Sequence, residues 1–226
     1  MKRIAFKIDV DTAQGTRHGV PYLGSLLRRN GIPATFFFSL GPDNTGKSIR
    51  RFFQPGFLRK VWRTRVPRMY SWKTLLYGTI LPAPHIAQRY AGILRQTREA
   101  GFSVGIHAYD HFRWQNYVRS WSWAEVREEF SKSWATFLDV LGQSPQMAGA
   151  PGWQTSANGL RVYDEYGLLF GSDCRGSSPF FPKVGTTVFR TLQIPTTLPT
   201  LDEWLGDPRF PNEDSFITAY LRRLMP

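Results

Sequence analysis

Cysteine is almost absent from this chain. One residue, Cys174, among 226 excludes an internal disulfide and fits a reducing compartment. No uninterrupted apolar run is long enough to cross a bilayer, and the N-terminus runs into a strand without the apolar core of a signal peptide. Acidic residues are scarce as well. Seventeen Asp and Glu face 29 Lys and Arg, giving a net charge of +12 and an isoelectric point near 10.2. That balance points to anionic partners: nucleic acid, acidic substrates or an anionic membrane surface. The scarcity is sharpest between Arg50 and His85, where no acid occurs and Arg59, Lys60, Arg63 and Arg65 alternate with Phe57, Trp62, Tyr70 and Trp72. Such a stretch suits an interfacial segment on anionic lipid, or a grip on single-stranded nucleic acid. It also suits a helical insertion with a solvated basic face, but the complete lack of acids favours a binding role.

What is present is an alternation of strands and helices. Ile4, Phe6, Ile8 and Val10 lie two apart, the period of a strand, and Asp9 and Asp11 share the opposite parity. Two carboxylates on one side of a strand end repel each other unless a cation or proton intervenes, though solvation or turn capping also accommodates them. A turn is expected at Ala13–Thr16, then a helix from Gly19-Val20-Pro21 to Arg29, stopped by Asn30-Gly31, and a buried strand over 32–40. This β-α-β opening predicts an α/β fold. Further helices are expected over 85–100, 123–141, 158–166 and 213–224, and strands over 102–107, 147–149 and 192–195. The inward face of the 123–141 helix is expected to carry Val126, Phe130, Trp134, Phe137, Leu138 and Leu141. One domain spans 1–226, with the basic aromatic insertion at about 46–84.

Of the four histidines, two form His107-Ala108-Tyr109-Asp110-His111, directly after a predicted strand. Four-residue spacing lets both converge on one cation, from a helical turn or a folded loop. Alone, the spacing equally fits satisfied loop histidines. With the Asp-x-Asp pair at another strand end, two imidazoles and one carboxylate make a three-ligand set with an open position, and the second carboxylate is free to act as a base.

On these residues the chain resembles the polysaccharide deacetylases. Asp9-Val10-Asp11 matches the family's opening acidic motif and His107–His111 its histidine motif. The resemblance implies a distorted (β/α) barrel, Asp9 as base, and Asp11, His107 and His111 as ligands of a divalent metal, usually zinc, with manganese or cobalt as alternatives. Ala150-Pro151-Gly152-Trp153 matches a third motif, implying that the backbone N–H of Trp153 serves an oxyanion. Asp173 and Arg175 match a fourth motif and its neighbour, Arg175 orienting Asp9, meeting a substrate phosphate, or pairing with Asp173.

A narrower likeness includes Gly41-Pro42-Asp43-Asn44, Ser172-Asp173-Cys174-Arg175-Gly176 and Gln193–Thr200. It implies removal of a formyl group from an undecaprenyl-phosphate-linked amino sugar in the lipid A aminoarabinose modification, a route to polymyxin resistance. The enzyme would sit peripherally on the cytoplasmic face of the inner membrane, with the insertion on anionic lipid rather than on nucleic acid. The alternatives are deacetylation of another N-acylated sugar, or a non-catalytic membrane- or nucleic-acid-binding module. The chain departs from the family in three places. Gly149 or Ala150 stands where many members have Arg, Gln154 follows Trp153, and the late histidine motif has no counterpart, since His18 and His85 do not fit it. A barrel without its last strand and with an exposed edge is therefore expected.

Overall fold

The computed structural model describes residues 4–48, 72–200, 203 and 207–224; most of the basic aromatic stretch, 49–71, lies outside the described residues. Among them the main sheet has six strands, in the order β1 (Phe6–Val10), β2 (Ala34–Ser39), β3 (Ser103–Ala108), β4 (Met147–Ala148), β5 (Phe170–Gly171) and β8 (Leu192–Gln193), all parallel. A small antiparallel pair, β6 (Lys183–Val184) and β7 (Thr187–Val188), lies in the β5–β8 connection. The α/β reading of the sequence holds.

The sheet is curled. Lys7 Nζ on β1 donates to the carbonyl of Ser172, just after β5, at 3.0 Å. In a flat sheet those strands, four steps apart, would be separated by about 19 Å. The curl gives a convex face toward the helices and a concave face within. Ile8 and Val10 of β1, Phe36 and Phe38 of β2, and Val104 and Ile106 of β3 join the convex core. It is covered by α1 (Val20–Arg29), α4 (Ala91–Glu99), α6 (Trp123–Leu141) and α7 (Ala157–Tyr166). The opposite parity faces inward. The register aligns Asp9 with Phe37 and Phe37 with Gly105, so these residues and His107, two further along β3, share the concave face.

Chain ends of the sheet differ. β1 pairs only with β2 among the described residues, and Ile4 and Phe6 are exposed. At β8, an antiparallel bridge from Phe180 to Gln193 covers part of the expected open edge.

Several expectations need correction. Ala13–Thr16 is not a simple turn. The Thr12 hydroxyl accepts the Gly15 N–H at 2.9 Å, capping a helical path that passes through a π turn at Gly15–Gly19 into α1. The helix expected over 85–100 is two, α3 (Ile86–Arg89) and α4, because Tyr90 leaves helical geometry between them. On α6 Leu138 is exposed, and Glu129, Ser133 and Val140 are buried in addition to the apolar stripe.

Candidate metal centre

β1, β2 and β3 all end at one edge of the sheet, and the site is built there. Asp11 leaves β1 just before the Thr12 cap. His107 lies in β3 at a register shift: Phe38 and Ser39 pair with Ile106 and Ala108, so His107 has no partner on β2. Shifts of this kind re-aim a side chain at the rim of a sheet. His111 is the first residue of α5 (His111–Tyr117), whose N-cap is Asp110. The two histidines are therefore brought together by a strand end and a helix start.

Asp11 Oδ1 lies 3.1 Å from His107 Nε2 and 3.6 Å from His111 Nε2. The three donor atoms all fall within 4.8 Å of one another. His107 is fully buried, and its Nδ1 donates to the Gly149 carbonyl at 2.5 Å. With the proton on Nδ1, the Nε2 lone pair points at Asp11, the tautomer a metal-ligating histidine needs. Asp11 Oδ1 is buried without a hydrogen-bond partner. A buried carboxylate oxygen facing two imidazole nitrogens within 3.6 Å fits a cation between them. Burial would raise the Asp11 pKa, but His111, His107 and Lys7 hold it well below the usual carboxylate range. Burial pulls His107 down, yet Asp9 and Asp11 outweigh it and leave the group raised; in His111 burial prevails and the group is lowered.

Asp9 shares the concave face. Its Oδ2 pairs with Lys7 Nζ at 3.1 Å, and its charge reaches both imidazoles. Asp173 is buried beneath the end of β4. It accepts the N–H of Ala150 at 2.6 Å and the Gln193 side-chain amide at 2.9 Å, and burial raises its pKa. It thus braces the Ala150–Trp153 turn from below.

Arg175 and Trp153 are both engaged by other groups. Arg175 contacts neither Asp9 nor Asp173. Its guanidinium pairs with Glu203, donates to the Leu198 carbonyl at 2.7 Å, and lies 4.6 Å above the Trp153 ring. Glu203 takes this arginine because its carboxylate is nearby and partly solvated, whereas Asp173 is enclosed. The Trp153 N–H is already engaged, donating to the Ala150 carbonyl at 3.1 Å. Trp153 also holds a φ of +54°, after Gly152 at +56°. A left-handed non-glycine residue costs about 1–3 kcal/mol and marks a turn fixed by its surroundings.

Four further side chains, Asp43, Asn44, Asp110 and Glu129, support the site. Asp43 accepts the Ala13 N–H at 2.8 Å and the Thr45 hydroxyl at 2.6 Å, tying the loop after β2 to the turn after Asp11. Asn44 donates to Asp110 at 2.5 Å, and Asp110 accepts the Arg113 N–H at 3.0 Å as helix cap. Glu129, buried on α6, accepts the Asp110 N–H. Position offers a signal for three of them: Asp43 and Asn44 follow β2 at the edge where Asp11 follows β1, and Asp110 stands at a helix start.

A family model described as polysaccharide deacetylase matches residues 2–171. A relative from Shewanella sediminis, named "Probable 4-deoxy-4-formamido-L-arabinose-phosphoundecaprenol deformylase ArnD", is 38% identical over 204 residues, covering 90% of this chain and 66% of the relative. One of the same name from Wigglesworthia glossinidia brevipalpis is 34% identical over 190 residues, covering 84% and 66%. The chain thus spans about two thirds of the length of these curated relatives. A solved structure from Pseudomonas aeruginosa PAO1, titled a probable polysaccharide deacetylase, is similar in fold, with a TM-score of 0.58, 22% identity, and coverage of 93% of this chain and 54% of that one. With three quarters of its length matched by the family model, this chain belongs to the polysaccharide deacetylase family.

Proposed function

We propose that the chain is a metal-dependent amide hydrolase that removes the formyl group from an undecaprenyl-phosphate-linked formamido-arabinose. The observation that carries the metal is the convergence of Asp11 Oδ1, His107 Nε2 and His111 Nε2, with the aspartate oxygen otherwise orphaned in a buried position. Two imidazoles and a carboxylate suit zinc, with manganese or cobalt as alternatives. The substrate is taken from the names of the relatives.

Asp11, His107 and His111 would hold the metal. When bound, a divalent cation supplies Lewis acidity for the amide carbonyl and for the attacking water. The remaining work falls to the chain. Asp9, on the same face, accepts the proton of the water as its oxygen bonds to the formyl carbon. The C–N bond then breaks, and the proton held by Asp9 is delivered to the leaving nitrogen, giving formate and a free amine. Gly149 keeps His107 in the required tautomer, and Asp173 keeps the adjoining turn in place.

A lipid-linked phosphate substrate requires an enzyme that works at a membrane surface, here the cytoplasmic face of the inner membrane. No helix among the described residues is long and apolar enough to cross a membrane. At the described end of the insertion, α2 (Trp72–Leu76) and the turn after it expose Trp72 and Ile80. The same segment is tied to the site's edge: Thr74 donates to the Gln14 side chain at 3.1 Å and Gly46 N–H to the Tyr77 carbonyl at 3.0 Å. Exposed apolar groups beside the site, continued by a run without acids, suit the interface of anionic lipid.

The test is release of formate from a synthetic undecaprenyl-phosphate-linked formamido sugar by the zinc-, manganese- or cobalt-loaded chain. Formate released only in the presence of the metal supports the reading. Acetate released from the acetamido analogue, with no formate from the first, would shift the substrate to another N-acylated sugar. Release of neither would contradict hydrolysis.

A further inference from the structure

Lys7 is a cation on the concave face, with the same strand parity as Asp9 and Asp11. Its ammonium donates to the Ser172 carbonyl at 3.0 Å and pairs with Asp9 Oδ2 at 3.1 Å. An exposed Lys–Asp pair contributes little, because two long side chains must be ordered in water. This pair is different in its surroundings. The Lys7 side chain is 18% exposed, and its ammonium lies 5.5 Å above the Phe37 ring. Gly149 flanks it so closely that a Cβ there would stand 3.0 Å from Lys7 Cε and 3.3 Å from Nζ. Phe37 in turn fits because position 105 is glycine: a Cβ there would meet the ring at 2.8 Å. A floor, a flank without side chain, and a carbonyl anchor on the far side of the curl fix the ammonium in one place.

We propose that Lys7 is the positioning residue for Asp9. Anchored on Ser172, its ammonium holds Oδ2, fixing the plane of the carboxylate so that the second oxygen faces the water whose proton it takes. The role rests on the hydrolase reading above. It assigns to a residue of β1 itself the task of orienting the base, the task considered for Arg175, which is occupied by Glu203.

Lys7→Met keeps the length and removes the charge. Its turnover should fall about 100-fold, the scale of general-base catalysis, with KM within about threefold and metal stoichiometry unchanged. Lys7→Cys in a Cys174→Ser background, alkylated with 2-bromoethylamine, restores an ammonium at nearly the same reach and should recover most of the loss. In crystals of metal-loaded Lys7→Met, the Asp9 carboxylate should leave the plane it holds in the unmutated chain. Turnover within about threefold of the unmutated chain, no recovery on alkylation, or an unmoved Asp9 would each overturn the proposal. If the unmutated chain releases neither formate nor acetate, the hydrolase reading fails, and the Asp9 plane in the two crystals still decides whether Lys7 positions it.

Discussion

Glu129 and Asp110 are joined through a buried hydrogen bond: Glu129 Oε1 accepts the Asp110 N–H at 3.0 Å. Asp110 caps the helix that starts at His111, and Arg113, one turn on, returns to Glu129 Oε2 at 3.2 Å. The Glu129 carboxylate thus ties α6 to the start of the helix that carries His111. Glu129→Ala leaves a buried N–H without an acceptor and should cost about 1–3 kcal/mol. Metal affinity should fall about 10–100-fold, as for other outer partners of metal ligands. Urea unfolding and metal titration check the two effects; a variant unchanged in both would remove Glu129 from the site's support.

Asp173 makes stability depend on pH in an unusual direction. Burial raises its carboxyl above 3.8, against the hydrogen bonds from Gln193 and Ala150. The folded state therefore holds the proton more tightly than the unfolded chain. This contribution is fully present below the unfolded value and is lost as pH rises through the raised folded value. Asp173→Asn should flatten the fall in melting temperature above about pH 4. Parallel curves for the two proteins between pH 4 and 7 would contradict the raised value.

Gly149 serves two neighbours at once, its carbonyl accepting from His107 and its missing side chain leaving room for Lys7. In Gly149→Ala the new Cβ would crowd Lys7 and stand 3.3 Å from Phe37 Cγ. A cost of about 1–3 kcal/mol is expected from overpacking. Displacement of the ammonium should also lower turnover by about tenfold or more, since small misplacements in a site are costly. Calorimetry and steady-state kinetics separate the two, and full activity in a destabilised variant would mean that the crowding is absorbed elsewhere.

Membrane engagement is testable at Trp72 and Ile80. Replacing both with Ala should weaken sedimentation with anionic liposomes by about tenfold or more, given about 1.5–3 kcal/mol for each large side chain buried. Deletion of residues 50–71, which keeps the Thr74 and Tyr77 contacts, should weaken it further and leave the metal site loaded. Unchanged sedimentation of the deletion would contradict an interfacial role.

Local signals in the sequence fared well where the structure is local. The helix over 123–141 is bounded by a Ser122–Glu125 capping box and a left-handed Gly142, both readable from residue type. The strand parity that puts Asp9 and Asp11 on one side, and the histidine pair after β3, are likewise short-range patterns. What escaped the sequence depends on partners far along the chain. Glu129 reads as an acid suited to a helix N-terminus, and only packing against Asp110 and Arg113 makes it a buried brace. Arg175 finds Glu203, 28 residues on, and the Lys7–Ser172 bond spans 165 residues across a curl that no local pattern encodes. The break at Tyr90, where φ is −121° and ψ 27°, interrupts a stretch that reads as one helix in the sequence.

Metal content tests directly whether Asp11, His107 and His111 hold a single cation. The purified chain, dialysed against zinc, manganese or cobalt and analysed by plasma mass spectrometry, should carry about one equivalent. Asp11→Ala and His107→Ala should each reduce this to background while circular dichroism remains that of a folded protein. A chain that takes up no metal, or variants that keep it, would contradict a metal centre at these three residues.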